Sequence, residues 1–215
     1  MGSKSFPYHS GQKKGDEVIA AERRLVKIFT GYNRNQIRSI GVCGVTVGAG
    51  ATHLSVAIAN YMESVLGITT VIIDYSKDQE LYQMTAGRKK SEREICCFSG
   101  WDSQNMSLKD GYPAQVLDFG NDFRCAGRLF PLCDRRIILG SLSDWKSSSY
   151  ECFLSVLEKS GGIPENFSFL SRNESGQAVR KLKKEYGITI LPEPFFQDPY
   201  RIEQKHFGFF QKLIQ

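Results

Sequence analysis

The sequence predicts a three-layer α/β fold, in which helices cover both faces of a doubly wound, mainly parallel sheet. Two observations predict it: short apolar segments alternate with segments of helical periodicity, and a Gly-rich turn joins the first apolar segment to a helix. Strands that alternate with helices form parallel sheets with right-handed connections. With 215 residues, 41% of them hydrophobic and 24% charged, the chain suits one globular domain and not a disordered, collagen-like or coiled-coil chain.

The predicted strands are apolar runs rich in β-branched residues, bounded by turn residues or by a carboxylate. In chain order they cover residues 39–45, 69–75, 94–98, 114–120, 135–142, 167–170 and 188–191. The run at 135–142 is apolar, and its continuity through Ile137, Ile138 and Leu139 indicates a strand that is buried on both faces.

The predicted helices lie between these strands. The clearest one covers 52–66, where Leu54, Ile58 and Met62 recur on one face and Gly67 supplies the stop signal. The full set of predicted helices in the domain covers 52–66, 78–87, 147–159, 177–186 and 202–214.

The chain divides into three parts by composition. Residues 1–15 are polar and aperiodic, which predicts a disordered tail, and residues 16–37 are expected to form an N-terminal helix and a loop. Residues 38–215 form the single predicted domain. No apolar run approaches the ~20 residues that span a bilayer, and no apolar signal core is present at the N-terminus, so we expect a cytoplasmic protein.

Charge and cysteine content narrow the classes of function. The excess of 28 basic over 23 acidic residues is spread along the chain, which favours a solvated surface over a nucleic-acid interface. The six cysteines form no C-x-x-C pair, which argues against a zinc site or a disulfide framework. The three scattered histidines give no support to a nucleophilic hydrolase.

The Gly-rich segment after the first strand is the candidate binding site, since ligands of open parallel sheets bind at the carboxyl ends of strands. Gly48 and Gly50 allow a tight turn that aims N–H groups inward, and the helix beginning near Thr52 adds the positive end of its dipole. The segment therefore predicts an anion cradle. A close-packed turn that binds no ligand is the alternative. Asp74 and Asp118, which end two strands, could be functional carboxylates or simple polar caps.

From residue 38 onward the sequence resembles the MinD/ParA branch of the P-loop NTPases, a SIMIBI-class family, and its pilus-associated TadZ/CpaE relatives. The resemblance rests on Gly48, Gly50 and Thr52 in the loop and on four further segments. These are IIDY at the end of the second strand, VLDFG as the switch II segment, FLSRN in the nucleobase position and LPEPFFQDPY near the end.

The resemblance implies that ATP or ADP binds with Mg²⁺. Thr52 and Asp118 would hold the metal, and Asp74 and Asp118 would be the catalytic carboxylates. Asn173 would contact adenine. The remaining contacts to the nucleotide would come from the loop, at Gly48, Ala49, Gly50, Ala51, Thr52 and His53. For His53 itself, a satisfied or exposed imidazole is favoured over a phosphate ligand.

The loop departs from the family at two positions. Family members carry one lysine immediately before the Thr/Ser and a signature lysine near the loop start, whereas this chain has Ala51 and Thr46 there. Losing such a charge stabiliser costs about 10²–10³ in rate, so we expect at most a weak ATPase. The absent signature lysine also predicts a homodimer that depends little on nucleotide, or none.

We therefore expect a degenerate nucleotide-binding protein that acts as a regulatory or positioning switch with a protein partner. A pseudo-ATPase scaffold without nucleotide is the alternative, and a DNA-partitioning ATPase is a weaker one. The last helix could contact a membrane surface, as MinD proteins do, but core packing of its aromatic residues is favoured. Phe195 and Phe196 are predicted to anchor a loop. Residues 87–115 could form a lid or a partner surface.

Overall fold

The protein is described here by a computed structural model. It describes residues 39–86, 95–100, 111–121, 129–143, 146–159, 163, 166–174 and 176–214, with only the backbone at 86, 173 and 174. The predicted tail at 1–15, the predicted helix and loop at 16–37 and most of the segment 87–115 lie outside the described residues.

Seven strands form a single sheet in which every pair of neighbours is parallel. The strands are β1 (Ser39–Gly44), β2 (Thr70–Asp74), β3 (Cys96–Ser99), β4 (Ala114–Asp118), β5 (Arg135–Leu142), β6 (Phe167–Glu174) and β7 (Ile190–Pro192). Their spatial order is β3-β2-β4-β1-β5-β6-β7. Strands β2, β3 and β4 thus lie on one side of β1 and strands β5, β6 and β7 on the other, which confirms the predicted doubly wound topology and places a crevice at the carboxyl end of β1.

Helices follow most strands, as predicted. They are α1 (Ala51–Ser64), α2 (Glu80–Ala86), α3 (Ser147–Lys159), α4 (Gly176–Tyr186) and α5 (Phe207–Ile214), with 3₁₀ turns at Phe130–Leu132 and Gln204–His206. Two elements differ from the prediction by more than two residues. Strand β6 continues past Leu170 to Glu174, and the single helix predicted over 202–214 is a 3₁₀ turn followed by α5.

The sheet separates two apolar cores, which makes the fold three-layered. In β5, Ile137 and Leu139 face the core that includes α1 and α5, whereas Ile138 faces the core that includes α3 and α4. This alternation confirms that the 135–142 segment is buried on both faces. Each such aliphatic side chain contributes about 1.5–3 kcal/mol by its removal from water.

The last helix packs on α1. The rings of Tyr61 and Phe210 stack with centroids 5.0 Å apart, and Phe210, Leu213 and Ile214 are buried. The favoured interpretation of the terminal aromatic residues, core packing, is therefore confirmed. None of the helices in the described part of the chain has both the length and the apolarity that crossing a bilayer requires.

Candidate functional site

The loop between β1 and α1, the predicted anion cradle, contains two glycines in left-handed conformations. Gly48 and Gly50 have φ values of 71° and 98°, in the left-handed region that glycine adopts without steric cost. Gly50 is the N-cap of α1, and its carbonyl accepts the first helical hydrogen bond from Leu54 N at 3.0 Å. Because glycine has no side chain, the cap offers no acceptor to the N–H groups of the first turn.

Backbone hydrogen bonds tie the start of this loop to the neighbouring strands. Gly44 N donates to the carbonyl of Gly120 at 2.7 Å, and Val45 N donates to the carbonyl of Leu139 at 2.9 Å. The loop is therefore held between the segment that follows β4 and strand β5.

Asp118, at the end of β4, is fully buried beside this loop. Its Oδ1 accepts a hydrogen bond from Gly120 N at 2.9 Å, whereas Oδ2 has no hydrogen-bond partner within the described part of the chain. Burial raises the pKa of Asp118 to about 6, the Thr52 hydroxyl and Gly120 N lower it, and the negative charge of Asp74 raises it. Thr52 and Asp118, the two predicted metal ligands, thus come together.

Asp74, at the end of β2, is equally buried, but both of its carboxylate oxygens accept hydrogen bonds. Its Oδ1 accepts hydrogen bonds from Ser76 N at 2.9 Å and from Ser76 Oγ at 2.6 Å, and its Oδ2 accepts one from Tyr82 N at 3.1 Å. The carboxylate therefore shapes the turn after β2 and holds the first turn of α2. This is the arrangement of a polar cap at a strand end, one of the two alternatives that the sequence leaves open for Asp74.

His53 ties the first turn of α1 to the loop after β7. Its Nε2 donates to the carbonyl of Phe196 at 2.9 Å, and the two rings stack with centroids 5.1 Å apart. Burial lowers the pKa of His53, the hydrogen bond to Phe196 raises it, and the charge of Arg172 lowers it further. The structure therefore places His53 as a satisfied imidazole, facing the loop rather than the cradle.

The two aromatic residues of that loop behave differently. Phe196 is buried and contacts His53, His206 and Phe210, as an anchor does. Phe195 is 85% exposed, so the prediction that it anchors the loop was wrong. Adjacent residues of an extended loop point in opposite directions, and only one of the two reaches the core.

The backbone of Asn173 lies in the last part of β6, and its side chain is outside the described atoms. Since β6 is parallel to β5 and β1, its last residues, Asn173 among them, lie at the same edge of the sheet as the cradle. Its predicted contact with adenine stays a prediction.

Sequence reasoning missed Arg172, which precedes Asn173. Its Nε and Nη2 donate to the Glu193 carboxylate at 2.6 and 3.2 Å. The guanidinium lies directly against the cradle: a Cβ placed on Gly50 would be 2.6 Å from Cζ and 2.7 Å from Nη1 of Arg172. A basic residue near the end of β6 and an acidic residue just after β7 were the available signals, since both strands end beside the site.

No family model matches the sequence, and the search of curated proteins returned no match. Solved structures do match. They include a ParA family ATPase from Chlorobium tepidum TLS, with 11% identity over 83% of this chain and 90% of that one and a TM-score of 0.54. A putative plasmid partition protein from Borrelia burgdorferi B31, bound to AMPPNP, has 9% identity over 83% and 98% of the two chains and a TM-score of 0.54. FlhF complexed with GMPPNP and Mg²⁺ has 12% identity over 98% and 94% and a TM-score of 0.53.

The chain has the fold of the ParA- and MinD-type P-loop NTPases. The loop at 44–52 occupies the P-loop position of this fold, between the central strand β1 and helix α1. Within it Ala51, where the family resemblance leads us to expect a lysine, is buried, with 5% of its surface exposed, and packs in the core beneath α1. Thr46, where the resemblance leads us to expect the signature lysine, is half-buried.

Proposed function

We propose that this chain is a degenerate MinD/ParA-like nucleotide-binding protein that acts as a regulatory or positioning switch. It binds ATP or ADP with Mg²⁺ weakly and hydrolyses ATP slowly or not at all. The observation that carries the proposal is Oδ2 of Asp118, a buried oxygen that has no hydrogen-bond partner among the described residues. A buried carboxylate oxygen without a partner is costly, and a metal-bound water beside Thr52 would satisfy it.

The residues present fit a magnesium nucleotide in part. An uncapped helix N-terminus offers backbone N–H groups to phosphate oxygens, and Thr52 and Asp118 offer oxygen ligands of the kind that Mg²⁺ prefers. When bound, Mg²⁺ would neutralise charge on the phosphates. What the loop lacks is a positively charged side chain. Ala51 brings no charge to it, which supports weak binding and slow hydrolysis.

The proposal is tested by calorimetric titration of the chain with ATP and with ADP, each with and without Mg²⁺. We expect binding that requires Mg²⁺ and that Asp118→Asn abolishes or weakens by at least tenfold. Asp134→Asn is the matched control, because Asp134 lies just before β5, at the opposite edge of the sheet. Binding that is unaffected by Mg²⁺ or by Asp118→Asn would contradict the proposal.

A pseudo-ATPase scaffold without nucleotide is the second candidate. It is supported by the buried methyl group of Ala51 and by the engagement of both Asp74 oxygens in the turn after β2. If no heat and no thermal shift appear at millimolar Mg-ATP, this candidate replaces the first.

A protein partner is part of the proposal in both cases. Val47 at the tip of the P-loop is 79% exposed, and Phe195 on the loop that His53 contacts is 85% exposed. Large apolar side chains at such positions favour a protein surface, either a partner or a second copy of the chain. In the matching MinC:MinD structure from Aquifex aeolicus, with 14% identity and a TM-score of 0.50, the P-loop protein is in complex with a protein partner.

A DNA-partitioning role is the least favoured candidate. It is suggested by the matching partition protein and by the excess of basic residues. Binding to phosphates falls steeply with salt. An absence of duplex DNA binding at low salt would dismiss this role.

A further inference from the structure

The phosphate cradle of this chain contains a positive charge that does not come from the loop. Arg172 extends from the carboxyl-terminal part of β6, and its guanidinium covers Gly50, the N-cap of α1. The space that a Cβ of residue 50 would fill is occupied by Cζ and Nη1, at 2.6 and 2.7 Å. Only glycine can therefore stand at this position while Arg172 keeps its place.

A cation at this place is electrostatically unfavourable by itself. The N-terminus of a helix carries a partial positive charge, so it repels a guanidinium and attracts an anion. Arg172 is nevertheless held there, because Glu193 forms a bidentate ion pair with it. Glu193 has only 6% of its surface exposed, and burial raises its pKa while Arg172 lowers it.

The ion pair leaves the cradle-facing side of the guanidinium available. A guanidinium has five N–H donors in a planar fork, and Glu193 engages Nε and one donor of Nη2. The described residues offer Nη1 no hydrogen-bond acceptor, and Nη1 is the nitrogen nearest to the Gly50 position after Nη2. Phosphate oxygens match this fork geometry.

We infer that Arg172, fixed by Glu193, provides the cationic contact to nucleotide phosphate oxygens that the P-loop lacks at Ala51. The charge comes from β6 across the cradle instead of from the first turn of α1. This inference rests on the proposed function, since it concerns the same site. It assigns Arg172 to binding and Glu193 to the positioning of Arg172.

The main test compares nucleotide affinities by calorimetry for the unmodified chain, Arg172→Gln and Arg172→Lys, using Mg-ATP, Mg-ADP and adenosine as probes. We expect Arg172→Gln to weaken Mg-ATP and Mg-ADP at least tenfold and to leave adenosine unchanged, and Arg172→Lys to retain part of the affinity. Arg135→Gln is the matched control, because Arg135 begins β5 at the opposite edge of the sheet. We expect it to bind as the unmodified chain does.

A rescue variant separates a charge effect from a folding effect. Ala51→Lys in the Arg172→Gln background restores one cation to the cradle, and we expect it to recover most of the lost affinity. Arg172→Gln alone leaves Glu193 buried without its partner, so the double variant Arg172→Gln/Glu193→Gln is measured as well. We expect it to bind Mg-ATP as weakly as the single variant while its melting temperature stays closer to that of the unmodified chain.

Three results would overturn the inference. Arg172→Gln could bind Mg-ATP as well as the unmodified chain, or more tightly, which would make the arginine a structural group or an obstruction. It could weaken adenosine as much as Mg-ATP, which would place the arginine at the base. The unmodified chain could fail to bind at all, and only this last result would also contradict the proposed function.

Discussion

Asp74 and Asp118 are the same residue type at equivalent points of neighbouring strands, and the structure treats them in opposite ways. They lie in register across the β2–β4 pair and are both fully buried. Asp74 accepts three hydrogen bonds from the turn and helix that follow it. Asp118 accepts one, from Gly120 N, and one of its oxygens has no hydrogen-bond partner among the described residues.

One sequence pattern, an aspartate at the end of a strand, thus yields two environments. A carboxylate whose two oxygens both accept hydrogen bonds stabilises the local backbone, whereas a buried carboxylate with an unpartnered oxygen is a cost to folding that function can justify. We therefore propose that the side that contains Asp74 is structural and that the side that contains Asp118, Thr52 and the P-loop binds the ligand.

Removing the Asp74 carboxylate should have the largest effect. Asp74→Ala leaves the N–H groups of Ser76 and Tyr82 without their acceptor, and hydrogen bonds to a charged group are worth about 1.5–3 kcal/mol each. We expect the free energy of unfolding to fall by about 3–5 kcal/mol in urea denaturation at pH 7. A loss below about 1 kcal/mol would show that the turn does not depend on this carboxylate.

Removing the charge of Asp118 should instead increase the free energy of unfolding. Its pKa is raised in the folded chain to about 6 from 3.8, so ionisation of this carboxyl opposes folding once the pH exceeds about 4. The cost is absent below pH 4, grows between pH 4 and 6 and is complete above, reaching about 3 kcal/mol for this shift. Asp118→Asn, which keeps an acceptor for Gly120 N, should therefore be more stable than the unmodified chain at pH 8 by up to this amount.

The pH dependence distinguishes this effect from a general gain in packing. The gain from Asp118→Asn should shrink as the pH falls from 6 and vanish below 4, where the unmodified carboxyl is neutral in both states. Thermal melts of the two chains between pH 3.5 and 8 measure it. A gain that is the same at every pH would show that the charge of Asp118 is not the cause.

The sheet and the loop could be predicted from the sequence because their signals are local. Periodicity identifies the helix that begins at Ala51, and the tight turn at Gly48 and Gly50 is one that this residue type allows. The continuous apolar run that is typical of a strand buried on both faces likewise identifies β5. These features depend on neighbours in the chain, which a sequence shows directly.

The rest of the site depends on contacts between distant segments. The pair of Arg172 and Glu193 joins residues 21 apart, and the hydrogen bond of His53 spans 143 residues. No periodicity marks either contact. The sequence also could not divide Asp74 from Asp118, because the difference lies in whether Ser76 and Tyr82 turn their N–H groups toward the carboxylate.

A smaller prediction concerns the hydroxyl that contacts Asp74. Ser76→Ala removes the hydrogen bond from Oγ to Oδ1 but keeps the one from the backbone N–H. We expect a loss of about 1–2 kcal/mol in the free energy of unfolding, and no change in nucleotide affinity, since this side of the site is structural. Weaker Mg-ATP binding in this variant would contradict the assignment of a structural role to Asp74 and a binding role to Asp118.

The smallest effect on stability should come from the hydroxyl that faces Asp118. The Thr52 hydroxyl lowers the pKa of Asp118, so Thr52→Val should raise that pKa further. The loss of stability with rising pH then still begins near pH 4, where the unfolded carboxyl ionises, but it continues to a higher pH and is larger. We expect a loss of about 0.5–1 kcal/mol at pH 8 and none at pH 3.5, where the carboxyl is neutral. The same variant should lose Mg²⁺-dependent nucleotide binding, so a hydroxyl with little influence on folding would have a large influence on the ligand. Equal effects of Thr52→Val and Ser76→Ala on both stability and binding would show that the two sides are not specialised.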